Sequence, residues 1–238
     1  MSDRPVGLSG AYAVRVPVGP GLFGELVVPP APLGVTLFAH GSGSSRLSPR
    51  NRLVARELNA RGVATLLFDL LTQAEEEIRA SVFDVELLAE RLIETTDWLL
   101  EQPHARGLEP CFFGASTGAA AALAAAARLG ARVRAVVSRG GRPDLAEHYL
   151  PRVSAPTLLI VGRDDERVVD LNRRALAALT CERRLAIVRG ATHLFAEPGA
   201  LEKVAALAAD WITQHLVALP AGPSPHGDVV LVDPLRAP

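Results

Sequence analysis

Cysteine is scarce in this chain: Cys111 and Cys181 are the only two in 238 residues. Two thiols this far apart make no disulfide framework and no metal-ligand spacing. Cys111 falls in an apolar run, where it is expected to be a small buried hydrophobe. No His/Cys/Asp cluster has zinc-like spacing, and no glycine-rich loop matches a dinucleotide or P-loop fingerprint. Neither a metal nor an organic cofactor is therefore expected. A surplus of one charge is lacking too. The formal net charge of -1 gives no reason to expect nucleic acid or an anionic membrane surface as a partner. Lysine is almost absent, with Lys203 alone, so the basic residues are nearly all arginine. No apolar stretch reaches the ~20 residues that span a bilayer; the longest, Gly118 to Ala127, falls far short. Met1 to Gly10 carries no basic-then-apolar leader. These absences favour a soluble cytoplasmic protein, monomer or homodimer, acting on a small molecule.

What is present is enough apolar material for one sizeable domain: 49% of the residues are hydrophobic. Ala11 to Val18 and Leu22 to Val28, split by Gly19-Pro20-Gly21, read as an opening hairpin. Short apolar runs then alternate with helical patterns. The strands are expected at 35–39, 63–68, 110–113, 133–137, 157–161 and 184–188. The helices are expected at 49–61, from a capping box at Ser81-Val82-Phe83-Asp84 to about Gln102, and at 119–129, 171–179 and 198–216. Continuous apolar strands alternating with helices imply an α/β fold, a mostly parallel sheet covered on both faces. Residues 1–216 read as one domain. Residues 217–238, rich in proline and glycine, read as an appended tail, although Asp228 to Val232 has the pattern of an edge strand.

The chemistry concentrates at Gly114-Ala115-Ser116-Thr117-Gly118, between an apolar strand and an alanine-rich helix. This is the setting of a nucleophile elbow. A serine lifted out on so tight a turn crowds the adjoining strand and helix, and only very small residues fit two positions away. A serine hydroxyl needs a base within hydrogen-bond reach, and the base needs an orienting carboxylate. Loops at the carboxyl ends of parallel strands gather along one edge. Two such loops follow in the order acid, histidine: Gly162-Arg163-Asp164-Asp165 and Ala191-Thr192-His193. Spacing from Gly162 favours Asp165 over Asp164 and Glu166. His193 is the only histidine directly after a late strand. A third loop, His40-Gly41-Ser42-Gly43, follows the first parallel strand. Its glycines allow a close backbone approach, so the Ser42 and Thr117 N–H groups are the candidate oxyanion-hole donors, with His40 and Gly41 supporting the loop. Because these donors are main-chain groups, the Ser42 and Thr117 side chains are expected to matter less than that of Ser116. Arg139 and Arg142, after another strand, lie where an arginine can grip a substrate carboxylate.

On these four segments the chain resembles the α/β-hydrolase superfamily, in its dienelactone hydrolase-like branch. The likeness covers Val35 to Leu216. It implies an eight-stranded, mostly parallel sheet and ester hydrolysis through an acyl-serine intermediate. Dienelactone hydrolases proper use a cysteine nucleophile, whereas Ser116 stands here, which points to a general carboxylesterase rather than a lactonase. Relatives of this type are sometimes fused to a phosphoribosyltransferase domain, and nothing in this sequence resembles one. The short connection between the strands near 137 and 157 leaves little room for a cap domain, so an open site for short acyl groups is expected. The alternatives are a thioesterase, peptidase or acyltransferase with the same triad, or a non-catalytic ligand-binding protein on this scaffold.

Overall fold

Runs that are apolar but for a single threonine at most become strands buried at every position. β3 (Val35–Ala39), β4 (Ala64–Phe68) and β5 (Pro110–Ala115) have no exposed residue, because helices cover both faces of the sheet. The structure, a computed structural model, describes residues 10–217 and 227–235. The reading of residues 1–9 as free of a leader, and most of the proline-rich tail, lie outside these.

β1 (Gly10–Val16) and β2 (Leu22–Val28) form the expected antiparallel hairpin. Gly19 and Gly21 turn it with φ of +54° and +87°, values that favour glycine. β2 then pairs antiparallel with β4. From there β3, β4, β5, β6 (Val136–Arg139), β7 (Thr157–Gly162) and β8 (Arg183–Val188) pair in parallel. The order is β1-β2-β4-β3-β5-β6-β7-β8, with β9 (Asp228–Val232) beyond β8 at the far edge. Chain direction across the sheet reverses between β3 and β5, so the loops leaving these two strands diverge and open a crevice.

One face carries α4 (Val85–Glu101), α5 (Thr117–Leu129) and α6 (Glu166–Ala178), packed through Leu88, Leu92, Val168 and Ala175. The other carries α1 (Pro49–Ala60) and α7 (Ala200–Val217), through Val54, Leu58, Val204 and Trp211. The alanine run of α5 has a steric origin. Ala119 to Ala126, with Leu123 among them, are buried with no measurable exposure. The helix is enclosed by sheet and neighbouring helices, so small side chains let the backbones approach. No helix among the described residues is long and apolar enough to cross a membrane.

Three expectations need correcting. The sheet has nine strands, because β9 (Asp228–Val232) adds in parallel beside β8. That part of the tail is a built edge rather than an appendage: Arg189 N–H bonds Val232 O at 2.9 Å, and Leu235 N–H bonds Gly199 O at 3.0 Å. The capping box lies at Thr72 and Glu75, opening the one-turn α2 (Gln73–Glu76). Ser81 instead sits inside the one-turn α3 (Arg79–Val82), and Asp84 caps α4 by accepting from Leu87 N–H at 3.0 Å. Finally, β6 starts at Val136 and runs to Arg139, later than the apolar pattern suggested, because a 3-10 turn at Gly130–Arg132 delays it. The β6–β7 connection holds only a 3-10 stretch, Pro143–Arg152, and no inserted domain.

Candidate active site

The elbow is strained where the chemistry of its sequence requires. Ser116 has φ +50° and ψ −118°, a backbone conformation costly for a residue with a Cβ. Its flanking glycines explain how the turn closes. A Cβ on Gly114 would lie 2.4 Å from the Ala119 Cα, and one on Gly118 would lie 2.2 Å from the Ala39 carbonyl oxygen. The turn is tied to β6 by Ser116 N–H to Arg139 O at 3.1 Å, and back by Arg142 N–H to Ser116 O at 3.1 Å. Ser116 itself stays partly exposed.

His193 is delivered by the loop after β8. Its neighbour Phe195 is fully buried at φ +54°, so packing holds this loop in a strained form. Gly162 lets the acid loop pass under it: a Cβ there would lie 2.3 Å from the Ala191 carbonyl oxygen. Of the competing acids, Asp165 reaches the imidazole, with Oδ2 at 2.7 Å from His193 Nδ1. Asp164 and Glu166 are exposed. Since a carboxylate only accepts, Nδ1 carries the proton and Nε2 is left as the basic nitrogen. Gly140 lies against the same ring; a Cβ on it would be 3.5 Å from His193 Nδ1. No direct hydrogen bond joins the Ser116 hydroxyl to His193.

The third loop approaches the elbow closely, and a Cβ on Gly41 would lie 3.0 Å from the Ser116 Cβ. His40 braces it from beneath. Leu70 N–H donates to His40 Nε2 at 3.0 Å, so the Nδ1 proton faces the Gly41 carbonyl at 3.1 Å. Burial holds the His40 pKa below its ordinary value, outweighing the opposing pull of the Gly41 carbonyl and Asp69. Arg46 bonds Asp69 through backbone and guanidinium, which pins the far end of the loop.

The two expected oxyanion donors are not equivalent. The Thr117 N–H opens α5 and has no acceptor among the described residues, as expected of a helix N-terminus. The Ser42 N–H is engaged by the Thr117 hydroxyl at 2.9 Å. The Thr117 side chain is therefore part of this arrangement as well as its backbone. Sequence offers no signal for such a contact between residues so distant in the chain. Beside these groups opens a cleft of about 160 Å³, walled by Leu71, Val82 and Leu88 with Glu76 among its lining residues. The arginines separate as well. Arg142 is held bidentately by Asp144, at 2.8 and 2.7 Å, so its guanidinium is occupied. Arg139 is buried and has no carboxylate. Among the described residues no group of three or more His, Cys, Asp or Glu could hold a metal ion.

No protein-family model matches the chain. Proteins of two Mycobacterium tuberculosis strains, each named "Putative phosphoribosyl transferase", are 58% identical over 215 residues, covering 90% of this chain and 48% of theirs. The chain thus spans about half the length of these curated relatives. The solved structure of Est1E from Butyrivibrio proteoclasticus aligns with a TM-score of 0.75 at 15% identity, over 87% of this chain and 99% of that one, a likeness of fold. A dienelactone hydrolase from Anabaena variabilis, solved by crystallography, is 55% identical with a TM-score of 0.83, over 87% of this chain and 98% of that one. With that identity across nearly the whole of the solved protein, the chain belongs to the dienelactone hydrolase family and is a hydrolase of the α/β-hydrolase fold.

Proposed function

We propose that this hydrolase cleaves small carboxylic esters through an acyl-serine intermediate, with Ser116 as nucleophile, His193 as base and Asp165 as the orienting acid. The observation that carries the reading is the convergence at one sheet edge of a strained, partly exposed Ser116 and a His193 whose Nδ1 is held by Asp165 at 2.7 Å. In this mechanism His193 Nε2 takes the hydroxyl proton as Ser116 Oγ attacks the acyl carbon, and returns it to the leaving alcohol. Asp165 stabilises the imidazolium that forms. The serine–histidine bond is made as substrate binds, since such bonds are often long in the free enzyme. The Thr117 N–H receives the developing oxyanion, and the Ser42 N–H joins it by exchanging the Thr117 hydroxyl for the substrate oxygen. The cleft beside Thr117 is small and apolar, which suits a short acyl chain. No cofactor is invoked. Because the chain spans about half of its mycobacterial relatives, the transfer activity in their name is not proposed for it.

A second reading, a binding protein with a vestigial triad, is favoured by one observation, the absence of a direct Ser116–His193 bond. Labelling with a fluorophosphonate separates the two. The hydrolase is expected to label at Ser116, and Ser116→Ala is expected to lose the label and about four to six orders of magnitude in kcat. An unlabelled wild type would favour the binding protein. A panel of matched esters, thioesters and amides then separates an esterase from a thioesterase or peptidase.

A further inference from the structure

Buried guanidinium groups are normally matched by a carboxylate. Arg91, 8% exposed, follows the rule: it bonds Glu75 at 3.0 Å. Arg139 breaks it. The residue is 7% exposed, and its Nε and Nη1 are buried with no hydrogen-bond partner among the described residues. Burial, and then the nearby charge of Arg50, push its pKa down to about 10, which still leaves a cation at neutral pH. Arg50 is the second residue of the twelve-residue α1, half-buried, and its Nε is also buried and unpartnered. The first turn of α1 holds no acidic residue. Side chains alternate along β6: Val136 packs with the α5 side of the sheet and Val137 with the α1 side. The Arg139 side chain therefore leaves the strand toward α1. Two cations and the positive end of a helix meet there with no anion among the described residues.

The location is next to the candidate catalytic groups. Arg139 pairs with Ala115 in the sheet, and its carbonyl accepts from Ser116 N–H. The following residue, Gly140, lies against the His193 ring.

We infer that Arg139 and Arg50, at the N-terminus of α1, form an anion subsite beside Ser116 that grips a carboxylate or phosphate group carried by the ester substrate. The planar fork of Arg139 suits either group bidentately, and a phosphate monoester would balance both guanidinium charges. The word substrate rests on the hydrolase reading; the binding of an anion does not.

Two measurements on the full chain test this. The first is thermal unfolding with inorganic phosphate or succinate against sodium chloride at equal ionic strength. Wild type is expected to gain Tm with one of the anions. Arg139→Met, which removes an unpaired buried charge, is expected to melt at or above wild type without anion and to gain nothing from it. Equal gains in both proteins would overturn the subsite. The second is kcat/KM for one alkyl ester in three forms, ending in methyl, carboxylate or phosphate. The charged-to-neutral ratio is expected to fall by about tenfold or more in Arg139→Met and in Arg50→Gln, with Arg139→Lys between. The preferred ending identifies the group, and a ratio indifferent to all three variants would sink the idea. Should Arg139→Met not fold, Arg139→Lys and Arg50→Gln carry both measurements. Labelling of Ser116 without any arginine-dependent anion effect would discard the subsite and keep the hydrolase. An arginine-dependent Tm gain without labelling would do the reverse.

Discussion

Thr117 is asked to do two things from one position. Its N–H is a free donor at the start of α5, and its hydroxyl holds the Ser42 N–H of another loop at 2.9 Å. Since the hydroxyl accepts in that bond, its own proton remains available to the cleft that Thr117 lines. Removing the oxygen while keeping the shape would free the Ser42 loop to drift relative to Ser116. Thr117→Val is therefore expected to lower kcat on the order of 10- to 100-fold with a smaller effect on KM, whereas Thr117→Ser stays near wild type. Steady-state kinetics on a short ester checks this; a Val variant as active as wild type would contradict it. The elbow itself was legible in the sequence, because its glycines answer a steric demand that is local: Gly114 and Gly118 are where a Cβ would strike Ala119 and Ala39. Asp165 was legible from spacing. The role of the Thr117 hydroxyl was not, since its partner lies in a loop brought near only by the β3–β5 pairing.

At the scale of elements, the loop from His40 to Ser48 depends on a neutral imidazole. His40 Nε2 accepts from Leu70 N–H, so a second proton would place two donors face to face. Burial lowers the His40 pKa below its ordinary 6.5. The unfolded chain therefore binds this proton at a higher pH than the folded one. Stability from this group is complete above about 6.5 and declines as pH falls from there toward the folded pKa. Denaturant midpoints between neutral and mildly acidic pH are expected to fall more steeply in wild type than in His40→Gln; parallel curves would argue against it. The misplaced capping box belongs to this scale too. Ser81 and Asp84 have the right composition, yet Asp84 caps α4 alone, and the reciprocal box forms at Thr72 and Glu75. Glu75 then also pairs with Arg91 of α4. The acidic run Glu75-Glu76-Glu77 is thus partly a fastening between elements, which only the packed arrangement reveals.

For the molecule as a whole, the far edge of the sheet is the informative feature. β9 covers β8 along Arg184 to Val188, and Val230 and Val232 pack on the α1–α7 core. A chain ending after residue 217 would leave the β8 edge unpaired, an open template for another strand. It is expected to melt at least a few degrees lower and to associate in size-exclusion chromatography, while retaining Ser116 labelling. An unchanged Tm and a monomeric profile would show that β9 does not support the fold.

The amino-acid sequence by itself determined the α/β alternation, the strained turn around Ser116 and the order serine, acid, histidine, because each depends on residues close in the chain or on the direction of parallel strands. Tertiary structure alone decided the other partners: which hydroxyl holds Ser42, whether a tail becomes a strand, and that Arg139 is buried without a counter-charge among the described residues. Such facts depend on which distant groups arrive in the same place and which do not, and no local pattern encodes an absent neighbour.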